Sequence, residues 1–276
     1  MTMQRRRVIL TGASGGIGRS IAKALAAQGH ELLLCGRNNG KLAILLDELE
    51  GSGHQLLVAD LTTTAGITSL QSAANAFEAD TLINGMGVNQ LTLLADSSIA
   101  DGERILATNL LAPINVCRAL LPLFQHKQAT IVNIGSILGN IGYPGSTLYC
   151  ASKAGLQRFT ESLRRELTDT EIAVLYFAPR ATGTELNSPA MREMNQQLGN
   201  KTDSPNWVAE QLCLALRQQK QGDIFLGWPE SLFVRINALL PRLVDNSILK
   251  QLPVIKRFCR GSNHPQHAVG EHHEVS

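Results

Sequence analysis

The sequence predicts an α/β fold built on a doubly wound parallel sheet of about seven strands, with a C-terminal helical extension. Three observations lead to this prediction. Short, nearly continuous apolar runs recur along the chain, as expected of strands that are covered on both faces. Segments with helical apolar periodicity separate these runs, and such alternation is typical of parallel sheets. A glycine-rich turn directly follows the first apolar run.

The apolar runs predict the strands, and they cover residues 7–11, 31–35, 55–59, 81–83, 130–134, 172–177 and 223–226. The first helix is expected from about Gly16 to Gln28, and the longest helical patterns cover 101–125 and 149–168. The sequence shows no repeat and no linker before about residue 228. Residues 1–228 are therefore predicted to form one domain.

The segment 229–260 has a different character. It is apolar and carries six Lys or Arg residues against two acidic residues, a net charge of +4. Pro241 and Pro253 are expected to divide it into short helices. Residues 261–276 hold four of the seven histidines and are expected to be disordered. Because these histidines lack an ordered scaffold, no functional metal site is expected there.

Segment 229–260 allows two interpretations. It could lie on a membrane surface as an amphipathic appendage, with its basic residues near anionic lipid. It could instead form a helical flap that packs over a pocket or against a second subunit. The prolines and interspersed polar residues weaken a continuous membrane-facing stripe, and the flap is therefore favoured.

The composition excludes several classes of protein. With 276 residues, of which 44% are apolar, the chain is globular rather than disordered. A net charge of +2 argues against nucleic acid as a main partner. The apolar run after Arg5-Arg6-Arg7 is too short for a signal peptide, and no uninterrupted apolar run approaches the ~18 residues of a spanning helix. Five dispersed cysteines fit reduced thiols. We therefore expect a cytoplasmic protein, peripheral at the inner membrane surface if segment 229–260 binds lipid.

The glycine turn has the composition of a phosphate-binding site. A phosphate can approach the free N–H groups of a helix N-terminus only where no Cβ is in the way, and the helix dipole then favours its negative charge. The turn lies between the first strand and the first helix, as a Rossmann-like dinucleotide site requires. The predicted cofactor contacts in it are Gly12, Ser14, Gly15, Gly16, Ile17 and Gly18.

The end of the second strand distinguishes between two dinucleotides. In NAD-binding sites an Asp or Glu here accepts hydrogen bonds from the adenosine ribose, whereas this sequence has Gly36-Arg37-Asn38. Arg37 can pair with a 2′-phosphate, or it can be an ordinary surface arginine. The pattern favours NADP(H) over NAD(H). After the third strand, Asp60 and Leu61 are candidate adenine contacts, and Asp60 can equally cap the helix that follows.

A tyrosine and a lysine form a candidate acid–base pair. Tyr149 and Lys153 are four residues apart in a helical pattern, which places them on one helix face. A tyrosine has a reference pKa of ~10, and a nearby ammonium lowers that pKa by favouring the phenolate. The spacing therefore predicts a unit that can exchange protons near neutral pH.

Further residues agree in order and spacing with a known family. Ser136 lies thirteen residues before Tyr149, and Asn109 lies in the long helical pattern 101–125. Over roughly residues 5–227 the chain resembles the short-chain dehydrogenase/reductase family in its ordinary, non-extended form. The matching pieces are Thr11-Gly12-x-x-x-Gly16-x-Gly18, Asn84-Gly85-Met86-Gly87, Asn109, Ser136, Tyr149-x-x-x-Lys153 and Pro179 through Thr184.

The resemblance implies a role for each of four catalytic residues. Tyr149 would exchange a proton with the substrate oxygen while hydride moves between the cofactor and carbon. Lys153 would bind the nicotinamide ribose and lower the pKa of Tyr149. Ser136 would donate a hydrogen bond to the substrate oxygen. Asn109 would bend its helix to hold a water that links Lys153 to solvent.

The resemblance also implies cofactor contacts at Asn84, Gly85, Tyr149, Lys153, Pro179 and Thr184. Thr184 would bind the carboxamide, whereas Asn84 would chiefly support the central sheet. The chain departs from the family's pattern at Met86, at the missing acid after the second strand, and at Arg180, where the family has glycine. The Arg180 side chain is expected to crowd the nicotinamide or to reach a charge on the substrate.

The expected function is that of an NADP(H)-dependent oxidoreductase acting on a small-molecule carbonyl or alcohol. Aliphatic residues near the motifs suggest a lipophilic substrate, such as an aldehyde, a 3-oxoacyl chain or a steroid-like ketone, unless they serve only in packing. Family resemblance suggests a homodimer or homotetramer formed through the helices 101–125 and 149–168. The alternative is a non-catalytic NADP(H)-binding sensor or scaffold protein of the same fold, although such proteins usually lose the tyrosine or the lysine.

Overall fold

The computed structural model describes residues 5–125 and 127–261. Within these ranges one parallel sheet has the strand order β3-β2-β1-β4-β5-β6-β7, which confirms the predicted doubly wound α/β fold. The strands are β1 Arg7–Thr11, β2 Glu31–Gly36, β3 Gln55–Val58, β4 Thr81–Asn84, β5 Ala129–Ile134, β6 Ile172–Ala178 and β7 Gly222–Phe225. The order reverses between β1 and β4. A crevice outside the carboxyl ends of the strands is expected at such a point.

Helices cover both faces of the sheet and extend beyond it. They are α1 Gly16–Ala26, α2 Asn39–Asp47, α3 Thr64–Ala76, α4 Ile99–Leu106, α5 Ala112–Phe124, α6 Thr147–Glu166, α7 Pro189–Gln197, α8 Pro205–Arg217, α9 Glu230–Leu239 and α10 Pro241–Gly261. A π-helical turn, Ala107–Leu111, joins α4 to α5 in one continuous helix. Residues 262–276, which make up most of the predicted tail, lie outside the described residues.

Alternation along the strands builds two apolar layers. Val8 and Leu10 of β1 pack with α1 and α8 on one face of the sheet, whereas Ile9 packs with α5 on the other. Successive side chains of a strand point to opposite faces, which explains why the central strands must be apolar throughout. Complete burial of each such aliphatic side chain contributes about 1.5–3 kcal/mol to stability. This rigid sheet carries the loops at its carboxyl ends.

Two helices differ from the predictions. The first ends at Ala26 rather than near Gln28, because the chain turns there through Gly29, at φ +82°, into β2. Pro253 does not divide the C-terminal segment: it lies inside α10, whereas Pro241 stands at the first position of that helix. Proline removes one N–H donor. The residue four positions before Pro253, whose carbonyl loses its N–H partner, is the exposed Leu249.

The continuous helix Ile99–Phe124 is long and apolar enough to cross a bilayer by length and composition. A search for uninterrupted apolar runs misses it, because polar residues are interspersed along it. In the fold, Val116, Leu120 and Phe124 of this helix are buried against the sheet. The helix therefore contributes to the core of the domain.

The C-terminal helices pack beside the carboxyl ends of β5 and β6. Val234 of α9 and Val244 of α10 form a cluster with Ile137 and Ile141, which follow β5. Further along α10, a second cluster joins Ile255 and Cys259 to Leu91, Met191 and Met194. This arrangement matches the flap interpretation of segment 229–260.

Candidate active site

A cavity of about 820 Å³ opens at the carboxyl ends of the central strands. Most of the predicted site residues line it, and they are Gly12, Gly15, Gly16, Ile17, Gly18, Gly85, Ser136, Tyr149, Lys153, Pro179 and Thr184. Six predicted residues are not part of its wall, namely Ser14, Arg37, Asp60, Leu61, Asn84 and Asn109. The topology thus brings together residues from four loops that are far apart in sequence.

The glycine turn fits the pyrophosphate of a dinucleotide. Gly15 precedes α1 without a side-chain cap, and the first turn of α1 holds no acidic residue, so its N–H groups are free to bind an anion. A Cβ on Gly18 would lie 2.3 Å from the carbonyl oxygen of Gly12, and Gly12 itself has φ +67°. A Cβ on Gly16 would lie 2.7 Å from Cγ2 of Thr184. Only glycines allow this close approach of turn, helix and the loop after β6.

The predicted adenosine end lies beyond β2 and β3. The Ser14 hydroxyl lies beside Gly36, next to the exposed Arg37. The Asp60 carboxylate accepts hydrogen bonds from the backbone N–H (3.0 Å) and the hydroxyl (2.7 Å) of Thr62. These bonds, with a smaller contribution from the charge of Arg37, lower the pKa of Asp60. Asp60 therefore stabilises the turn that leads into α3, but it is not the predicted cap of that helix, because Thr63 occupies the N-cap position. Leu61 is buried.

Tyr149 and Lys153 are both buried at the start of α6. The Lys153 ammonium donates a hydrogen bond to the Ile134 carbonyl at 2.9 Å and lies 5.8 Å from the centroid of the Tyr149 ring. Burial raises the pKa of Tyr149 to about 12, although a hydrogen bond with Ser136 partly opposes this. The prediction of a lowered tyrosine pKa is therefore not met in this structure, because the cost of burying a phenolate exceeds the benefit from its neighbours.

Lys153 titrates in a different range from an exposed lysine. Burial lowers the pKa of Lys153 to about 8, because the charged ammonium loses its hydration. At neutral pH the phenol of Tyr149 is thus protonated, and the lysine is charged but close to losing its proton. A protonated phenol beside a cation is suited to donating a proton to a carbonyl oxygen.

Tyr176 contacts the backbone of the catalytic residues Ser136 and Lys153, and it was not predicted from the sequence. This fully buried side chain of β6 accepts a hydrogen bond from the Ser136 N–H at 3.2 Å. Its hydroxyl lies within donating distance of the carbonyl oxygens of Ser136 (3.2 Å) and Lys153 (3.3 Å). A Cβ on Gly135 would lie 2.0 Å from its ring. The glycine before Ser136 was the available signal, since a large side chain occupies its space.

Asn109 lies in the π turn between α4 and α5. Its side chain accepts a hydrogen bond from the Val88 N–H (2.8 Å) and donates to the Val88 carbonyl (2.9 Å) and to the Ser152 hydroxyl (3.0 Å). A Cβ on Gly87 would lie 3.7 Å from both Asn109 Oδ1 and Lys153 Nζ. Asn109 therefore ties the loop after β4 to α6 beside Lys153.

Asn84 lies inside the sheet rather than at the cavity. Its amide donates hydrogen bonds to Asn133 Oδ1 at 2.9 Å and to Cys117 Sγ at 3.5 Å. This position matches the predicted support of the central sheet. The grouping of Asn84 with the cofactor contacts is not matched, because its polar atoms face neighbouring strand and helix residues.

Arg180 lines the cavity, and its guanidinium is held by two acidic side chains. That it crowds the nicotinamide or reaches a charge on the substrate stays a prediction. Its guanidinium forms a bidentate pair with Asp203 (2.7 and 2.9 Å) and also binds Glu230 at 2.8 Å. A further bond reaches the carbonyl of Trp228 at 3.2 Å. The arginine thus connects the end of β6 to the loop before α8 and to the start of α9. Both acidic partners were missed, since no local pattern links positions so far apart.

The outer part of the cavity is predominantly apolar. Its aliphatic and aromatic wall comes from the loop after β5, from α7, α9 and α10, and consists of Ile137, Leu138, Ile141, Met191, Met194, Phe233, Ile236, Leu243, Val244 and Ile248. Within the described residues no group of three or more His, Cys, Asp or Glu side chains is arranged to hold a metal.

Comparisons with known proteins identify the family. The sequence profile described as short chain dehydrogenase matches residues 6–195. The chain is 31% identical over 251 residues to "Dehydrogenase/reductase SDR family member 7B" of Mus musculus, covering 86% of this chain and 78% of that one. It is 31% identical over 230 residues to the "NADP-dependent 3-hydroxy acid dehydrogenase" of Schizosaccharomyces pombe, covering 78% and 88%.

A solved structure shows the same fold. The short chain dehydrogenase/reductase from Burkholderia phymatum in complex with NAD superposes with a TM-score of 0.79 at 22% identity, covering 88% of this chain and 96% of that one. With most of the chain matched by the family profile and the motif residues gathered at one cavity, the protein belongs to the short-chain dehydrogenase family of nicotinamide-dependent oxidoreductases that act on CH–OH and C=O groups.

Proposed function

We propose that the protein is an NADP(H)-dependent oxidoreductase that interconverts a lipophilic carbonyl compound and its alcohol. The observation that carries this proposal is the position of Ser136, Tyr149 and Lys153 on one wall of a cavity that also contains the glycine turn. Proton donor, hydrogen-bond donor and dinucleotide cradle thus share one enclosed space. The non-catalytic alternative would not require this arrangement.

Each residue of the site would have its own role in the reaction. When bound, a nicotinamide cofactor supplies or accepts the hydride. Tyr149 donates its phenolic proton to the substrate oxygen during reduction and recovers it during oxidation. Ser136 donates a hydrogen bond to the same oxygen and stabilises its developing charge. Lys153, whose pKa is lowered by burial to about 8, stabilises the phenolate that remains and can return a proton to it.

The remaining contacts would hold the cofactor in place. The N–H groups at the start of α1 would bind the pyrophosphate, and Thr184 and Lys153 would bind the nicotinamide end. Asn109 would keep Lys153 and the loop after β4 together. As the resemblance implies, it would also hold the water that links Lys153 to solvent and so resupplies the proton.

Preference for NADP(H) is supported by the absence of a carboxylate at positions 37 and 38 and by the exposed Arg37, which directly follows β2. The relative from Schizosaccharomyces pombe is described as NADP-dependent, whereas the Burkholderia phymatum structure holds NAD. Fluorescence titration with NADPH and NADH tests the preference. We expect tighter binding of NADPH and a loss of that advantage in Arg37→Ser. Equal affinities, or tighter NADH binding, would contradict it.

A lipophilic substrate is supported by the apolar outer wall of the cavity. Pockets of this kind exclude water and bind alkyl or ring carbons. The experiment is NADPH oxidation measured with aldehydes and ketones graded in chain length, including 3-oxoacyl compounds and steroid-like ketones. We expect kcat/KM to rise with chain length. A preference for short, charged carbonyl compounds would contradict the substrate class and leave the reaction type standing.

Assembly and location also belong to this proposal. Exposed Ile99 and Leu111 on the continuous helix support a homodimer or homotetramer formed through that helix and α6. The five cysteines are buried and form no disulfide, in keeping with a reducing cytoplasm. Sedimentation velocity tests the assembly, and a monomer at all concentrations would contradict it.

A further inference from the structure

The outer surface of α9 and α10 exposes an unusual amount of apolar area. Of the thirteen large apolar side chains exposed in the described chain, seven lie between residues 228 and 249. We call this surface the hairpin face, and it consists of Trp228, Leu232, Phe233, Leu239, Leu240, Leu243 and Leu249. The turn between the two helices is its most apolar point, since Leu239 is 80% exposed, Leu243 59% and Leu240 57%. Clusters of this kind mark interaction sites.

The two helices that carry the hairpin face also carry an excess of positive charge. All six basic side chains of segment 229–260 are exposed, and they are Arg235, Arg242, Lys250, Lys256, Arg257 and Arg260. Within the described part of the chain, none of them forms an ion pair with a carboxylate. Of the two acidic residues, Glu230 is already paired with Arg180, which leaves Asp245. Exposed apolar side chains together with unpaired cations on the same two helices suit a surface that is apolar inside and anionic outside.

The hairpin face adjoins the substrate cavity. Phe233 and Leu243 are exposed on this face and also line the cavity. Val244 and Ile248 of α10 also belong to the cavity wall, where they pack with Ile137 and Ile141. The same two helices therefore separate, and partly share, an apolar interior and an apolar exterior.

We infer that the hairpin face docks peripherally on a bilayer that contains anionic lipid. The leucines of the α9–α10 turn enter the interfacial region, and the cations of the two helices lie at the headgroups. The cavity then opens beside the lipid phase, so that a lipophilic carbonyl compound can pass between the bilayer and the cavity without crossing water. This passage of substrate rests on the proposed function. A second copy of the chain fits the face less well, because a symmetric interface would bring the same cations together.

Co-sedimentation with vesicles tests the inference on the full chain. The vesicles are phosphatidylcholine alone and phosphatidylcholine mixed with phosphatidylglycerol. We expect binding to the anionic vesicles, weaker binding to the neutral ones, and weakening as salt concentration rises. Leu239→Ser/Leu240→Ser and Arg242→Glu/Lys250→Glu should each reduce binding by about tenfold or more, since they remove inserted apolar area or headgroup attraction. All four side chains are exposed, so the fold does not depend on them.

The matched control is Ile44→Ser/Lys220→Glu, which changes an exposed apolar residue and an exposed cation on other elements and should leave binding unaltered. Absence of binding to anionic vesicles, or equal binding by the leucine variant, would overturn the inference. So would a change of oligomeric state in the leucine variant with vesicle binding retained, since the face would then join copies of the chain. Tyr149→Phe should bind vesicles normally, which separates failure of this inference from failure of the proposed reaction.

Discussion

The titration of Lys153 is the residue-scale property with the most direct kinetic consequence. Reduction leaves a phenolate on Tyr149 that a charged lysine stabilises, and burial lowers the pKa of Lys153 to about 8. Below that pH the ammonium is present, and above it the charge is lost. We therefore expect kcat/KM for reduction to be level below pH ~8 and to fall above it. In Lys153→Arg, which stays charged, any residual activity should lack this fall. A level wild-type profile beyond pH ~9.5 would argue against this assignment.

Tyr176 gives a second prediction at this scale. Tyr176→Phe leaves the Ser136 N–H without its buried acceptor, which costs about 1–3 kcal/mol of unfolding free energy. Because Ser136 is then less firmly placed, kcat should fall while KM changes little. Denaturant unfolding and steady-state kinetics check the two effects. Unchanged stability together with unchanged kcat would show that Tyr176 has no positioning role.

Single residues also show where sequence reasoning reaches its limit. The grouping of Ser136, Tyr149 and Lys153 could be predicted from the sequence, because Ser136 directly follows a strand and the other two residues are one helix turn apart. The direction of the tyrosine pKa shift was not, because burial depends on chain segments distant in sequence. Arg180 illustrates the same limit, since its partners Asp203 and Glu230 follow 23 and 50 positions later. The sequence shows that position 180 carries a positive charge, but it does not show which acidic residues that charge contacts.

At the scale of elements, Arg180 holds three segments together. Arg180→Ala leaves Asp203 and Glu230 without their cation at a site where the three side chains are only 10–26% exposed. We expect a loss of about 2–3 kcal/mol in unfolding free energy, below the full cost of a completely buried pair. The start of α9 should loosen, so KM for long substrates should rise more than kcat falls.

A surface ion pair provides the control for this variant. Arg165→Ala removes the pair with Glu161 on α6, where the arginine is 68% exposed, and should change stability by less than about 0.5 kcal/mol. Arg180→Lys should recover only part of the stability, because lysine cannot form the bidentate contact. Equal stabilities of Arg180→Ala and Arg165→Ala would contradict the connecting role.

Elements were predicted best where one physical signal dominates. The strands appeared as apolar runs because each is covered on both faces. An irregularity of the helix at Asn109 was expected from the resemblance, and the structure has a π turn at this position. Pro253 was misleading: proline disfavours a helix interior, but α10 continues through it at the surface, where water can satisfy the freed carbonyl.

At the scale of the whole molecule, the strand order determines where chemistry can occur. The reversal between β1 and β4 opens the crevice, and loops from both halves of the sheet then supply the cradle and the proton donor. The apolar wall of the cavity comes from α7, α9 and α10, which no local pattern connects to Tyr149. The fold was thus predictable from periodicity and one turn, whereas the shape of the substrate cavity required the packing of the C-terminal helices.

In the proposed reaction, Tyr149 is the residue that donates the proton to the carbonyl substrate. The most direct test compares wild type and Tyr149→Phe in NADPH-dependent reduction of the best carbonyl substrate found, alongside a fluorescence titration of NADPH. Because phenylalanine keeps the ring but cannot donate a proton, kcat should fall by roughly 10²–10⁴-fold while the NADPH affinity stays within about twofold. A Tyr149→Phe protein that reduces the substrate at the wild-type rate would contradict the account.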